Sequence, residues 1–260
     1  MSAASAQLRQ QPNKPVERSG QSGFDRSFAL AVRMAQFKLR PSEFVDDELC
    51  RLGPLGAAEL RAMVAHPAFR APVSRALSAA LGIDAIRIGP DFPARLAASA
   101  RLRLAVLLAS DPLETINRVA LILAAAVLSR KALRLVLKGE RARARETLGN
   151  DGFEIATHET PGLHLALSDL DRSPDNTEML VGPGDLAARR ESVLALGFAT
   201  IGRFLDKVEP LLVEYLALRL PAGLWFGERD RAVAELSDYH CEHLVKLVRR
   251  RQQPWLAIIG

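Results

Sequence analysis

The sequence predicts an all-α protein, an irregular multi-helix bundle, and three observations carry that expectation. Apolar residues recur at steps of three and four through most of the chain, and cap residues and prolines punctuate these stripes at short intervals. Only Ile83-Asp-Ala-Ile-Arg-Ile-Gly89 has β-like composition, which leaves one short strand-like or extended segment near residues 83–88 and no material for a sheet. With 260 residues, 48% of them hydrophobic, the chain has enough apolar surface to build a sizeable core.

Taken in order, residues 1–23 are polar, rich in Gln, Pro, Ser and Gly, and lack the apolar stretch of a signal peptide. They are expected to form a disordered tail ahead of a single helical domain over 24–260. Ser22 and Asp25 have capping-box-like spacing, and Phe24, Phe28, Val32 and Ala35 follow as the stripe of a first helix that Pro41 ends. A helix over Ala57–Ala65, carrying Leu60, Met63 and Val64, stops before Pro67; Pro72 is expected to open another that Gly82 closes. Asp91 and Pro93 start a helix with Leu96, Ala100, Leu104 and Leu108 on one side.

Asp111-Pro-Leu-Glu114 combines an N-cap, a proline at the first helical position and an acidic residue three after the cap. The helix it opens contains the most apolar run, Val119 to Leu128, too short to cross a bilayer. Ser129–Gly139 and Glu140–Gly149 read as two further helical pieces, each closed by glycine, and Asp151-Gly-Phe-Glu154 repeats the capping pattern. Residues 168–184, with Asp, Pro and Gly and little periodicity, are expected to be a long surface loop. Beyond it, Val193, Gly197, Ile201, Phe204, Leu205 and Val208 form a clear stripe, Pro210 starts a helix to Pro221, and Asp230–Arg251 supplies the last long one. The apolar tail Pro254 to Ile259 is expected to pack on the body. No fixed period recurs, which argues against a solenoid.

The formal charge of +5 and an isoelectric point near 9.6 suit an acidic protein surface, a nucleic acid or an anionic lipid. Cys50 and Cys241, far apart in sequence, are expected to be free thiols of a reduced compartment. No nucleophile elbow, P-loop, dinucleotide fingerprint or H-E-x-x-H is present, so catalytic residues, metal and cofactor are not expected. His240-Cys-Glu-His243 puts two imidazoles one helical turn apart but lacks further ligands, and reads as a helix surface. His158 and His164, near Glu154, Glu159 and Asp169, would suit acid–base work only if a pocket gathered them. Lys246, Arg249, Arg250 and Arg251 complement the negative end of their helix.

The best candidate for a binding surface is Lys131, Arg134, Lys138, Arg141 and Arg145, which share one stripe if the helix is uninterrupted. Gly139 is expected to interrupt it, and no aromatic is interleaved, so a solvated face or contact with an acidic partner is expected rather than nucleic acid.

Together, most of residues 36 to 256 resemble the SctK family of bacterial type III secretion accessory proteins, the YscK, PscK, HrpD group with rhizobial NolU-like members. The pieces that carry the resemblance are Gln36-Phe-Lys-Leu-Arg-Pro-Ser-Glu-Phe44, His66-Pro-Ala-Phe-Arg70, Val73-Ser-Arg-Ala-Leu77 and Leu81-Gly-Ile83. Further on come Leu148-Gly-Asn-Asp-Gly-Phe153, Ala156, Pro161-Gly-Leu163, and Gly197 through Leu218-Arg-Leu-Pro221, in the family's order. The long tail and the segment 168–184 depart from the family pattern. The resemblance implies a non-enzymatic adaptor of the cytoplasmic sorting platform, peripheral at the inner membrane. It would link SctQ-containing pods to the cytoplasmic domain of the ring protein SctD, with no nucleic acid partner. A basic helical nucleic-acid-binding regulator is the alternative.

Overall fold

In the computed structural model residues 19–85, 89–174, 177–221 and 232–259 are described, and the molecule is 77% helical with 14 helices and no strand among those residues. The all-α expectation therefore holds, and the boundaries show where local chemistry was outvoted. Residues 1–18 of the expected tail lie outside the described residues, and α1 (Ser19–Leu39) begins ahead of Gly23. Arg40 leaves helical geometry as the residue before proline, and Pro41 opens a 3-10 turn, Pro41–Glu43. The face α1 buries is Leu30, Met34 and Phe37; Phe28, Val32 and Ala35 of the expected core stripe point to solvent together with Leu39.

Helices α2 (Ala57–Ala65) and α3 (Pro67–Ala80) meet at His66, whose extended backbone stops one and caps the next, with Pro67 in the first position. Pro72 consequently opens nothing and sits inside α3. Gly82 takes φ 68° after α3, and Ile83–Ala85, expected to be strand-like, forms a 3-10 turn; 86–88 lie outside the described residues. The single helix expected from Asp91 is split into α4 (Phe92–Ala98) and α5 (Ala100–Ser110) by extended Ser99, whose hydroxyl accepts from Leu102 N–H at 3.2 Å.

Next come α6 (Leu113–Val127), α7 (Ser129–Leu133) and α8 (Lys138–Glu154). A π turn (Ile155–Glu159) and α9 (Thr160–Leu163) continue from α8. Gly149 sits in α8 at φ 75°, ψ 169°, a left-handed break in the helix that glycine tolerates without a Cβ penalty. After α10 (Glu178–Val181) come α11 (Leu186–Val208), α12 (Leu211–Ala217), α13 (Asp238–Arg251) and α14 (Gln253–Ile259). The last long helix thus starts at Asp238, where Ser237 caps it, and not at Asp230, which lies outside the described residues.

The segment 168–184 is not a plain surface loop. It includes the end of a 3-10 turn (Leu165–Leu170) and α10, and it buries Leu170 and Leu180 completely. Asp171 also pairs with Val233 in an isolated antiparallel bridge. The terminal apolar segment packs as expected, with Trp255 and Ile259 of α14 buried.

The centre of the core is the contact between α6 and α11. Helix α6 buries Ile116, Val119, Ala120 and the run Ile122 to Val127, and α11 meets it with the expected stripe of Val193, Gly197, Ile201, Phe204 and Leu205. The backbones touch at Gly197, where a Cβ would stand 2.0 Å from the carbonyl oxygen of Ala120. Small residues at that crossing let the helices close to a distance that larger ones forbid.

Asp111, expected to cap α6, caps nothing with its side chain. Its carboxylate instead accepts from the guanidinium of Arg33 on α1 and from Trp255 Nε1 on α14 at 2.6 Å. Buried Arg219, just after α12, donates to the carbonyls of Ala109 and Asp111. One residue thus gathers the first helix, the last helix and the turn after α12. Burial lowers the Arg219 pKa to about 10, with the Asp111 charge opposing the shift.

Candidate interaction surface

The five basic residues picked out by spacing do not share one helix. The chain leaves helical geometry after Leu133 and resumes at Lys138, so the stripe breaks ahead of Gly139, which lies inside α8. Lys131 is removed from the surface altogether. It is 5% exposed, its Nζ lies 3.0 Å from Asp171 Oδ2, and it donates to Ser173 Oγ at 2.6 Å. A buried ammonium needs such a partner, and the segment expected to be a loop supplies it.

Arg134, Lys138, Arg141 and Arg145 remain exposed. Arg141 and Arg145 place their guanidiniums 5.9 and 5.0 Å from the centroid of the Phe153 ring, which orients both cations on the outer side of α8. The connection between α7 and α8 sends Leu135 into the core and leaves Leu133, Val136 and Leu137 outside, 51%, 84% and 64% exposed. Three aliphatic side chains on a surface rimmed by Arg134, Lys138 and Arg141 make an amphipathic corner. Phosphate binding has no use for them, whereas a protein partner with an apolar centre and acidic rim would cover both parts. The signal in the sequence was the compact run Leu133-Arg-Leu-Val-Leu-Lys138, in which a helix would have buried more than one leucine.

A second unpartnered apolar stripe lies on α1, where Phe28, Val32 and Leu39 are exposed. Helix α1 packs on α3, α4 and α5, whereas α7 packs on α6, α8 and the π turn. The two apolar surfaces are therefore carried by different parts of the bundle.

The groups weighed for catalysis or metal binding are engaged structurally. His240 Nδ1 accepts from the Ser237 N–H at 3.1 Å as half of a capping box, so the imidazole one helical turn before His243 is turned to the start of its helix. His243 meets His164 instead, Nδ1 to Nδ1 at 3.2 Å with the rings at 83°, and Tyr239 packs on its other side. Among the described residues no group of three His, Cys, Asp or Glu is placed to hold a metal. His158 contacts Thr157, so it does not join His164 in a site. Glu154 and Glu159 both receive Arg251, and Asp169 pairs with Arg130.

Burial, together with the positive field of His243, pushes His164 down to about 4. Cys50 and Cys241 are free and buried, and burial raises both thiols, away from nucleophilic reactivity. No described helix is long and apolar enough to cross a membrane. No family model, curated protein or solved structure matches the chain.

Proposed function

We propose that the protein is a non-enzymatic adaptor of the type III secretion cytoplasmic sorting platform, linking SctQ-containing pods to the cytoplasmic domain of SctD at the inner membrane. The observation that carries this reading is the presence of two exposed apolar surfaces, the Leu133, Val136, Leu137 corner and the Phe28, Val32, Leu39 stripe, on one helical body. A bridge requires two such surfaces held at fixed separation, and apolar patches left open on a protein body are characteristic of interaction sites. The basic rim of the corner adds a preference for an acidic partner.

The pieces that resemble the SctK family support the same reading. They fall at joints of the fold: the end of α1, the α2–α3 junction at His66, the Gly149 break, and the passage from α11 through α12. Chain geometry is most restrictive there, so a shared order of such pieces is what a shared arrangement of helices would require.

The test is affinity purification of the tagged protein from cytosol and gently solubilised inner membrane of its source cells, followed by mass spectrometry. Recovery of SctQ-like and SctD-like proteins is expected. Val136→Asp with Leu137→Asp should lose one of them, and Val32→Asp with Leu39→Asp the other, while exposed substitutions of this kind change stability by under about 0.5 kcal/mol. Recovery of nucleic acid with a steep salt dependence, in place of these proteins, would establish the basic-regulator alternative.

A further inference from the structure

A groove of about 440 Å³ opens where α9, α13 and α14 meet, lined by Leu163, His164, Lys246, Arg249, Arg250 and Leu256, with Gln253 beside them. Its charge is unbalanced. Among the described residues the carboxylate facing this cluster is Glu159, which Arg250 reaches at 3.4 Å and which Arg251 also holds from outside the groove. Lys246 and Arg249 are in no ion pair among the described residues. Cations at the C-terminal end of a helix complement its dipole, but three lining one groove exceed what a fractional negative charge balances.

The second observation is His164. It is buried, it lines the groove, and its Nε2 has no hydrogen-bond partner although its Nδ1 is engaged by His243 at 3.2 Å. Buried polar nitrogens are ordinarily satisfied, and one without a partner on a side chain that lines a cationic groove points to a ligand atom there. The His164–His243 contact accommodates either tautomer, and the one in which His243 donates to Nδ1 leaves the His164 hydrogen on Nε2 for an acceptor in the groove.

We propose that this groove binds a small organic phosphate monoester. The lining cations exceed the one carboxylate by the charge of a phosphate dianion, Arg249 and Lys246 supply charge-assisted hydrogen bonds, and His164 Nε2–H donates to a phosphate oxygen. Leu163 and Leu256, both partly exposed, form apolar walls for the organic portion, and the volume suits a small molecule. The site is independent of the adaptor surfaces and needs none of their residues.

The experiment titrates the full chain with phenyl phosphate and with inorganic phosphate by calorimetry, while following the histidine ring nitrogens by NMR. Saturable binding of both is expected, tighter for phenyl phosphate, with a shift of the His164 ring signals toward an Nε2-protonated form. Lys246→Ala and Arg249→Ala, both at the surface, should each weaken binding about tenfold, the loss expected for one charge-assisted contact. Absence of saturable binding, or binding that ignores both substitutions and leaves the His164 signals unmoved, overturns the proposal. Association with vesicles of anionic phospholipid but with neither soluble phosphate also overturns it, because the cations would then act as a membrane-facing surface.

Discussion

Helices α6 and α1 are both amphipathic on paper and end up in opposite situations. Helix α6 is enclosed: α8, α11, the π turn and α13 pack around it, and nearly every residue from Val119 to Val127 is buried. Helix α1 carries two apolar stripes, buries Leu30, Met34 and Phe37 against α3, α4 and α5, and leaves Phe28, Val32 and Leu39 in solvent. Apolar content therefore states how much surface a helix can hide, and the number of neighbours decides how much it does hide. A helix with more apolar surface than neighbours is where a partner has something to cover.

The largest test of this contrast is at the α6–α11 crossing. Gly197→Ala places a methyl 2.0 Å from the Ala120 carbonyl oxygen, backbone that cannot turn aside, and should destabilise the fold by about 3 kcal/mol in urea unfolding. An effect under about 1 kcal/mol would mean the two helices are not locked backbone to backbone. On α1, Met34→Ala should cost about 2 kcal/mol or more, because it empties a buried site.

The same contrast extends to titration. His164 has a folded pKa of about 4 against 6.5 for the free side chain, because burial and the facing His243, Arg250 and Lys246 disfavour its protonation more than Glu159 favours it. Between those values the unfolded chain binds a proton that the folded chain refuses. The stability contributed by neutral His164 is thus complete above about pH 6.5 and is lost as pH falls toward about 4. Melting temperature should decline across that window, and His164→Asn should flatten the slope; an unchanged slope would exonerate this residue. The smallest effect is expected on the exposed α1 stripe, where Val32→Ala should shift stability by under about 0.5 kcal/mol in the same urea series.

Much of the fold was legible because strong local signals agreed with the packing. The α11 stripe from Val193 to Leu205 is the buried one, Pro41 and Pro210 act where expected, and Trp255 and Ile259 fold back onto the body. Failures came where two readings were locally equivalent. On α1 the rows Phe28, Val32, Leu39 and Leu30, Met34, Phe37 are both apolar, and only α3 to α5 choose between them. The basic stripe assumed helical continuity through Leu135-Val-Leu137, and Lys131 was claimed by Asp171 from a segment with no periodicity to announce it. Leu170 closes the stretch Leu165 to Leu170 and Leu180 sits in Met179-Leu-Val181, clusters too short to carry a helical period, so nothing local foretold their complete burial. The His164–His243 contact spans 79 residues, a separation at which the sequence carries no trace of pairing.

The clasp at Asp111 has a consequence for how the chain is made. One partner of its carboxylate lies 78 residues earlier and the other 144 residues later. During synthesis Arg33 is already present when Asp111 emerges, but the indole of Trp255 arrives only after nearly all the remaining helices have left the ribosome. Until then a group destined for burial stays half satisfied and exposed to water, so the first helix cannot be seated for good. Closure of the whole bundle is thereby deferred until Trp255 has emerged, and a chain stopped short of it is left recognisably open.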